Sequence, residues 1–119
     1  MEIEVTDMGK VAIFRPMTKR IDANKSGEFK EKYFEQINDG YRFVALNLSL
    51  VDFIDSSGLS AIVSVHKDMS IVKGSMAIFG ATPTALNLFT LTGMNRLLKI
   101  FSSQAEAIAF LEQQVQSNP

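Results

Sequence analysis

Apolar and polar residues alternate from the start of the chain. Ile3 and Val5 mark one run over residues 2–7, and Val11 and Ile13 mark a second over residues 10–15. A period of two is strand patterning, so the two runs with Met8-Gly9 between them predict a hairpin. Past Pro16 the period changes. A polar loop, MTKRIDANKS, leads into SGEFKEKYFEQI, where Phe29, Tyr33, Phe34 and Ile37 recur at helical spacing, and Gly40 supplies the left-handed residue that commonly ends a helix. The stretch YRFVALNLSLVDFI follows. It is rich in Phe, Val, Leu and Ile and too short to span a membrane as a helix, which predicts a buried central strand over residues 42–48.

Beyond it, Leu59, Ile62, Val63, His66, Met69 and Val72 repeat at three and four residues, predicting a helix from about residue 57 to 72. Its other face carries Ser60, Ser64, Lys67 and Asp68, and Gly74 closes it. SMAIFG reads as a strand, and Thr82-Pro83 places an N-cap and a first-turn proline ahead of a third helix ending near Gly93. LLKIF is a short strand, and an amphipathic helix from about Ser103 to Val115 ends the pattern. The order β-β-α-β-α-β-α-β-α predicts an α/β fold: a mixed, mainly parallel central sheet with helices packed on it and an antiparallel edge from the hairpin. The expected organisation is one domain over residues 1–116 with a frayed tail at 117–119.

Composition narrows the functions this fold serves. Twelve Lys and Arg against thirteen Asp and Glu leave a net charge of -1, which lacks the positive field that non-specific nucleic-acid binding exploits. With no cysteine there is no disulfide framework, thiolate metal site or thiol catalysis, and the cytoplasm is the expected compartment. The N-terminus has neither a basic nor an apolar leader region, and no run of 18 apolar residues occurs, so neither export by this signal nor membrane insertion is expected.

Between the central strand and the second helix stands DFIDSSGLSAIV, residues 52–63. A serine at a strand-to-helix turn raises the possibility of a hydrolase nucleophile, but the G-x-S-x-G elbow is absent. The one histidine, His66, lies ten residues beyond Ser56, roughly 15 Å along a helix at about 1.5 Å per residue. His66 falls on the apolar face and reads as a buried or half-buried histidine bonded to backbone; with no second His and no Cys, a zinc site is not expected. GxxxxGK[ST] and GxGxxG are both missing, so no nucleotide cofactor is expected. A receiver domain would put phosphoryl chemistry on Asp52 or Asp55, but it needs an acidic pair after the first strand, and here that strand ends in FRPM. The bland reading of the motif is a helix N-cap, a contribution of about 1 kcal/mol. One cap position accounts for one of Asp55, Ser56 and Ser57, which leaves hydroxyls over.

Those residues resemble a known family. DFIDSSGLSAIV preceded by VALNLSLV is similar to the core signature of STAS domains, specifically the anti-sigma factor antagonists of bacterial partner-switching systems. KGSMAIFGATPTALNLFTLTGM resembles the family's strand followed by P-x-x-x-x-L-F-x-x-x-G, so the similarity covers nearly the whole chain. The resemblance implies a binding protein, not an enzyme, that engages an anti-sigma factor, itself a serine kinase of the histidine-kinase-like ATPase class, and frees the sigma factor. Ser56 matches the phosphorylated serine, and a serine phosphatase would reverse the modification. Asp55 and Asp22 match acidic positions near it, and Ser57, Gly58, Ser60 and Ser64 are the further expected partner contacts. The family usually carries G-E-L-D where this chain has K-R-I-D, so Lys19-Arg20 bears on partner identity and not on fold. The resemblance also admits a second role, a STAS subunit of a membrane-associated lipid-transport or other regulatory assembly that is not phospho-switched.

Charge explains how such a site would switch. Phosphoserine adds about -1.5 to -2 charges at pH 7. Free N–H groups and the dipole at a helix N-terminus favour that charge, so the domain should tolerate it and the effect should fall on the partner. A thousandfold weaker complex requires only about 4 kcal/mol, which an unmatched dianion in an interface fitted to a hydroxyl readily costs.

Overall fold

The computed structural model describes residues 1–117. Its main sheet has the order β1-β2-β4-β6-β7, built from β1 (Ile3–Met8), β2 (Val11–Pro16), β4 (Phe43–Asn47), β6 (Ser75–Phe79) and β7 (Lys99–Ile100). β1 and β2 form the antiparallel hairpin, while β2, β4, β6 and β7 run parallel. Met8 pairs with Val11, so the turn is Gly9-Lys10, one residue later than the pattern predicts, with Gly9 at φ +86°. Parallel neighbours require crossovers, supplied by α1 (Ser26–Asn38), α2 (Ser56–Ile71) and α3 (Pro83–Leu91). α4 (Gln104–Ser117) closes the chain. Ser117, expected in the tail, is thus the last residue of a helix; the rest of that expected tail, 118–119, lies outside the described residues.

Strict alternation along the central strands sorts their side chains to two faces. Ala12, Phe14, Val44, Leu46, Met76 and Ile78 join Phe29 and Tyr33 of α1, Ile62, Val65 and Met69 of α2, and Phe89 of α3 in the larger core. Ile13, Phe43, Ala45, Ala77 and Phe79 point the other way, where Ala107 and Leu111 of α4 meet them. Ala45 and Ala77 are partners across β4 and β6, and with Ala107 all three are fully buried. Small residues on both surfaces let α4 lie close to the sheet. Because both faces are covered, β4 reads as a continuous apolar run.

Sequence patterning missed three short elements: β3 (Arg20–Ile21), β5 (Phe53–Ile54) and a 3-10 turn, Met94–Arg96. β3 and β5 pair in parallel as a separate two-stranded sheet, Arg20 against Phe53 and Ile21 against Ile54. This small sheet pins the loop after β2 beside the start of α2.

The buried face of α2 also differs from expectation. Gly58, Ala61, Ile62, Val65 and Met69 are buried, whereas Leu59, Val63 and His66 are half-buried and Val72 is exposed. Hydrophobic spacing weights large residues, but the buried stripe of α2 includes the small Gly58 and Ala61, and Gly58 lies directly against Ile21 of β3. His66 correspondingly does not bond to backbone: its Nδ1 is shielded from water and has no partner.

Candidate functional site

The site begins with Asp55. Its extended backbone (φ -96°, ψ -174°) makes it the N-cap of α2, and its Oδ1 accepts a hydrogen bond from the Gly58 amide at 2.9 Å. This is the standard satisfaction of a free helix-end N–H. Its Oδ2 accepts from the Ala23 amide at 3.1 Å, from a residue 32 positions earlier. One carboxylate therefore ties the loop before α1 to the start of α2. Helix α2 begins at Ser56, one residue before the predicted start, so of Asp55, Ser56 and Ser57 it is Asp55 that takes the cap position.

Ser56 is the first helical residue and is exposed; Ser57 is half-buried. Neither hydroxyl is bonded to another group among the described residues. Both open onto a cleft of about 430 Å³ between the two helices, lined by Ser26, Gly27 and Lys30 of α1 and by Ser56, Ser57 and Ser60 of α2. The N-terminal turns of α1 and α2 thus share one concavity with a lysine on its wall. The first turns of both helices border it, and the positive end of a helix dipole favours negative charge nearby.

Gly58, expected as a partner contact, is buried and serves the fold instead. A β-carbon there would stand 1.9 Å from the carbonyl oxygen of Ile21, so only glycine lets α2 seat against β3. Ala61 beside it is likewise buried. Ser60 is exposed and borders both the cleft and a second groove, where Leu59, Val63, Ser64 and Lys67 face Thr92 and Met94. Ser64 lies in this groove, one helical turn from the Ser56 cleft.

Asp22 sits in the loop between β3 and α1. Its Oδ2 accepts from Arg20 Nε at 3.2 Å and its Oδ1 accepts from the Asn24 amide at 3.0 Å, while its carbonyl accepts from the amides of Lys25 and Ser26 at the start of α1. The hydrogen bond from Arg20, helped by the Asn24 amide, holds its carboxyl below the usual range. Arg20 also stacks over Phe53, 4.2 Å from the ring centroid. Lys30, Ser26 and the Arg20–Phe53 pair are site elements that sequence reading did not assign to it. They come from segments distant in sequence; the departure of K-R-I-D from G-E-L-D marks Arg20, but no local pattern relates it to Phe53 or brings Lys30 and Ser26 to the cleft.

Among the described residues no group of three His, Cys, Asp or Glu side chains is placed to hold a metal, and no helix is long and apolar enough to cross a membrane. The arrangement offers an exposed Ser56 hydroxyl, unbonded among the described residues, beside the first turns of two helices.

A family model described as the STAS domain matches residues 2–107. A protein of Thermotoga neapolitana described as a candidate anti-sigma factor antagonist is 31% identical over 99 residues, covering 82% of this chain and 87% of that one. The anti-sigma-B factor antagonist of Listeria monocytogenes is 26% identical over 107 residues, 89% of this chain and 91% of the other. The crystal structure of a candidate anti-sigma factor antagonist from Thermotoga maritima superposes with a TM-score of 0.83 at 27% identity, covering 92% of this chain and 94% of that one.

Proposed function

The chain belongs to the STAS domain family, and from that premise we propose that it is an anti-sigma factor antagonist switched by phosphorylation of Ser56. It is a binding protein and not an enzyme. Unphosphorylated, it binds a serine-kinase anti-sigma factor in the cytoplasm and so releases the sigma factor; phosphorylated on Ser56, it lets the kinase go, and a serine phosphatase resets it. The observation that carries this reading is the Ser56 hydroxyl: exposed, unbonded, first in α2, and open to a cleft where two helix N-termini and Lys30 accommodate a new negative charge. The fold loses nothing when the hydroxyl is modified, so the energetic consequence falls on whatever covers it. Ser60 and Ser64 continue the surface along α2, and Asp22 and Asp55 hold the adjoining loop in place. Phosphorylation should weaken the complex on the order of a thousandfold, the ratio that about 4 kcal/mol produces.

The test is phosphate transfer. Incubated with magnesium ATP and its cognate serine kinase, the chain should take up one phosphate, observed by mass spectrometry. Ser56→Ala should take up none, and Ser57→Ala should still be modified. Phosphate retained in Ser56→Ala would refute the site assignment.

A further inference from the structure

The small β3–β5 sheet carries an arginine whose donors the fold leaves largely unused. Arg20 and Phe53 are cross-strand partners, and the guanidinium lies over the ring at 4.2 Å. Its Nε donates to Asp22 at 3.2 Å, and its side chain is 58% exposed. A guanidinium has five N–H donors in a planar fork. Asp22 engages one of them, and among the described residues the two Nη groups meet no acceptor.

An exposed arginine is ordinarily a poor contact because binding must freeze a long flexible chain. Here the freezing is already done, by the ring beneath the guanidinium and by the carboxylate at its Nε edge. Phe53 is itself 38% exposed, so aromatic and cation are presented to solvent together, next in sequence to the exposed Lys19. Arginine is among the residues enriched at the hot spots that carry most of the binding energy of protein interfaces. The feature adjoins the switch: Ile21, next to Arg20, accepts a hydrogen bond from the Asp55 amide, and Asp55 precedes Ser56.

We propose that Arg20, held by Phe53 and Asp22, is a specificity-determining contact of the Ser56 surface, its free Nη edge receiving a carboxylate from an acidic segment of the kinase. This inference rests on the reading of Ser56 as a kinase-docking site. A carboxylate matches the fork with two parallel hydrogen bonds. The occupant is the partner's carboxylate and not this chain's own phosphoserine, because the Ser56 cleft is walled by α1 and α2 and its lining cation is Lys30, whereas Arg20 stands on β3 outside it.

The experiment measures the dissociation constant of the unphosphorylated chain for the kinase that modifies Ser56, at low and high salt. Arg20→Glu should weaken binding by roughly thirtyfold or more, as truncated or reversed interfacial charge pairs do. Arg20→Gln, which keeps a polar chain over Phe53, should weaken it by about tenfold and Arg20→Lys by less, since lysine retains the charge but not the fork. The salt dependence of binding should be shallower in Arg20→Gln than in wild type. Affinity of Arg20→Gln and Arg20→Lys equal to wild type, or weakened binding with an unchanged salt dependence, overturns the inference while wild-type binding and phosphorylation leave the Ser56 reading standing. A wild-type chain that neither binds a serine kinase nor accepts phosphate overturns both.

Discussion

At Gly58 the fold has no room for a side chain. A β-carbon would stand 1.9 Å from the Ile21 carbonyl oxygen and 2.8 Å from its carbonyl carbon, both backbone atoms that cannot swing aside. Relief requires α2 to lift from β3, which also disturbs the Asp55 cap and the cleft. Gly58→Ala should therefore destabilise the domain by about 2–3 kcal/mol, the upper part of the range for overpacking; urea unfolding measures it, and a midpoint equal to wild type would mean that α2 is not seated against β3. The glycine of DSSG was expected to face a partner, and its real partner is the chain's own backbone. A residue's type announces that something close lies nearby but does not say what. Ser56 is the opposite case, since its hydroxyl is surplus to the cap in sequence and stays unbonded in the structure.

The element at stake is the N-terminal turn of α2 with the loop it holds. Asp55 accepts from Gly58 within its own helix and from Ala23 across the site. Losing an N-cap costs about 1 kcal/mol, and losing a second hydrogen bond to a charged acceptor adds about as much or somewhat more. Asp55→Ala should accordingly destabilise by roughly 2–3 kcal/mol. Asp55→Asn retains a single carbonyl acceptor for two amides and should fall between Asp55→Ala and wild type, an order that urea midpoints of the three proteins will check. The cap was legible in DFIDSSG because capping is a local event. The tie to Ala23 was not, since no short-range pattern relates residues 32 positions apart. β3 and β5 escaped for a related reason: two residues are too few to display a period.

For the whole molecule, stability should depend on pH through its one histidine. Burial, with Lys99 and Lys67 adding repulsion, pushes the His66 imidazole below its ordinary value of 6.5, and its shielded Nδ1 has no acceptor to favour the charged form. The unfolded chain then binds the proton more readily than the folded one. Stability is therefore unaffected above 6.5 and falls as pH drops from there toward the lower folded value. His66→Gln should flatten this slope below the ordinary value of 6.5 in urea titrations run at a series of pH values. Asp22 and Glu106, whose carboxyls are lowered by hydrogen bonds from Arg20 and from Ser102 and Ser103, act in the opposite sense of charge; their stabilisation is lost only below the ordinary values of 3.8 and 4.5. A slope unchanged in His66→Gln would show that His66 is solvated. By itself the sequence determined the α/β order, the hairpin edge, the doubly covered central strands and the DSSG turn, because period, capping and turn chemistry act between near neighbours. Only the tertiary structure decided that α2 buries Gly58, Ala61 and Val65, that Lys30 and Ser56 line one cleft, and that Arg20 rests on Phe53. Those relations come from the packing of distant segments, where space and backbone hydrogen bonds outweigh the hydrophobicity of any one residue.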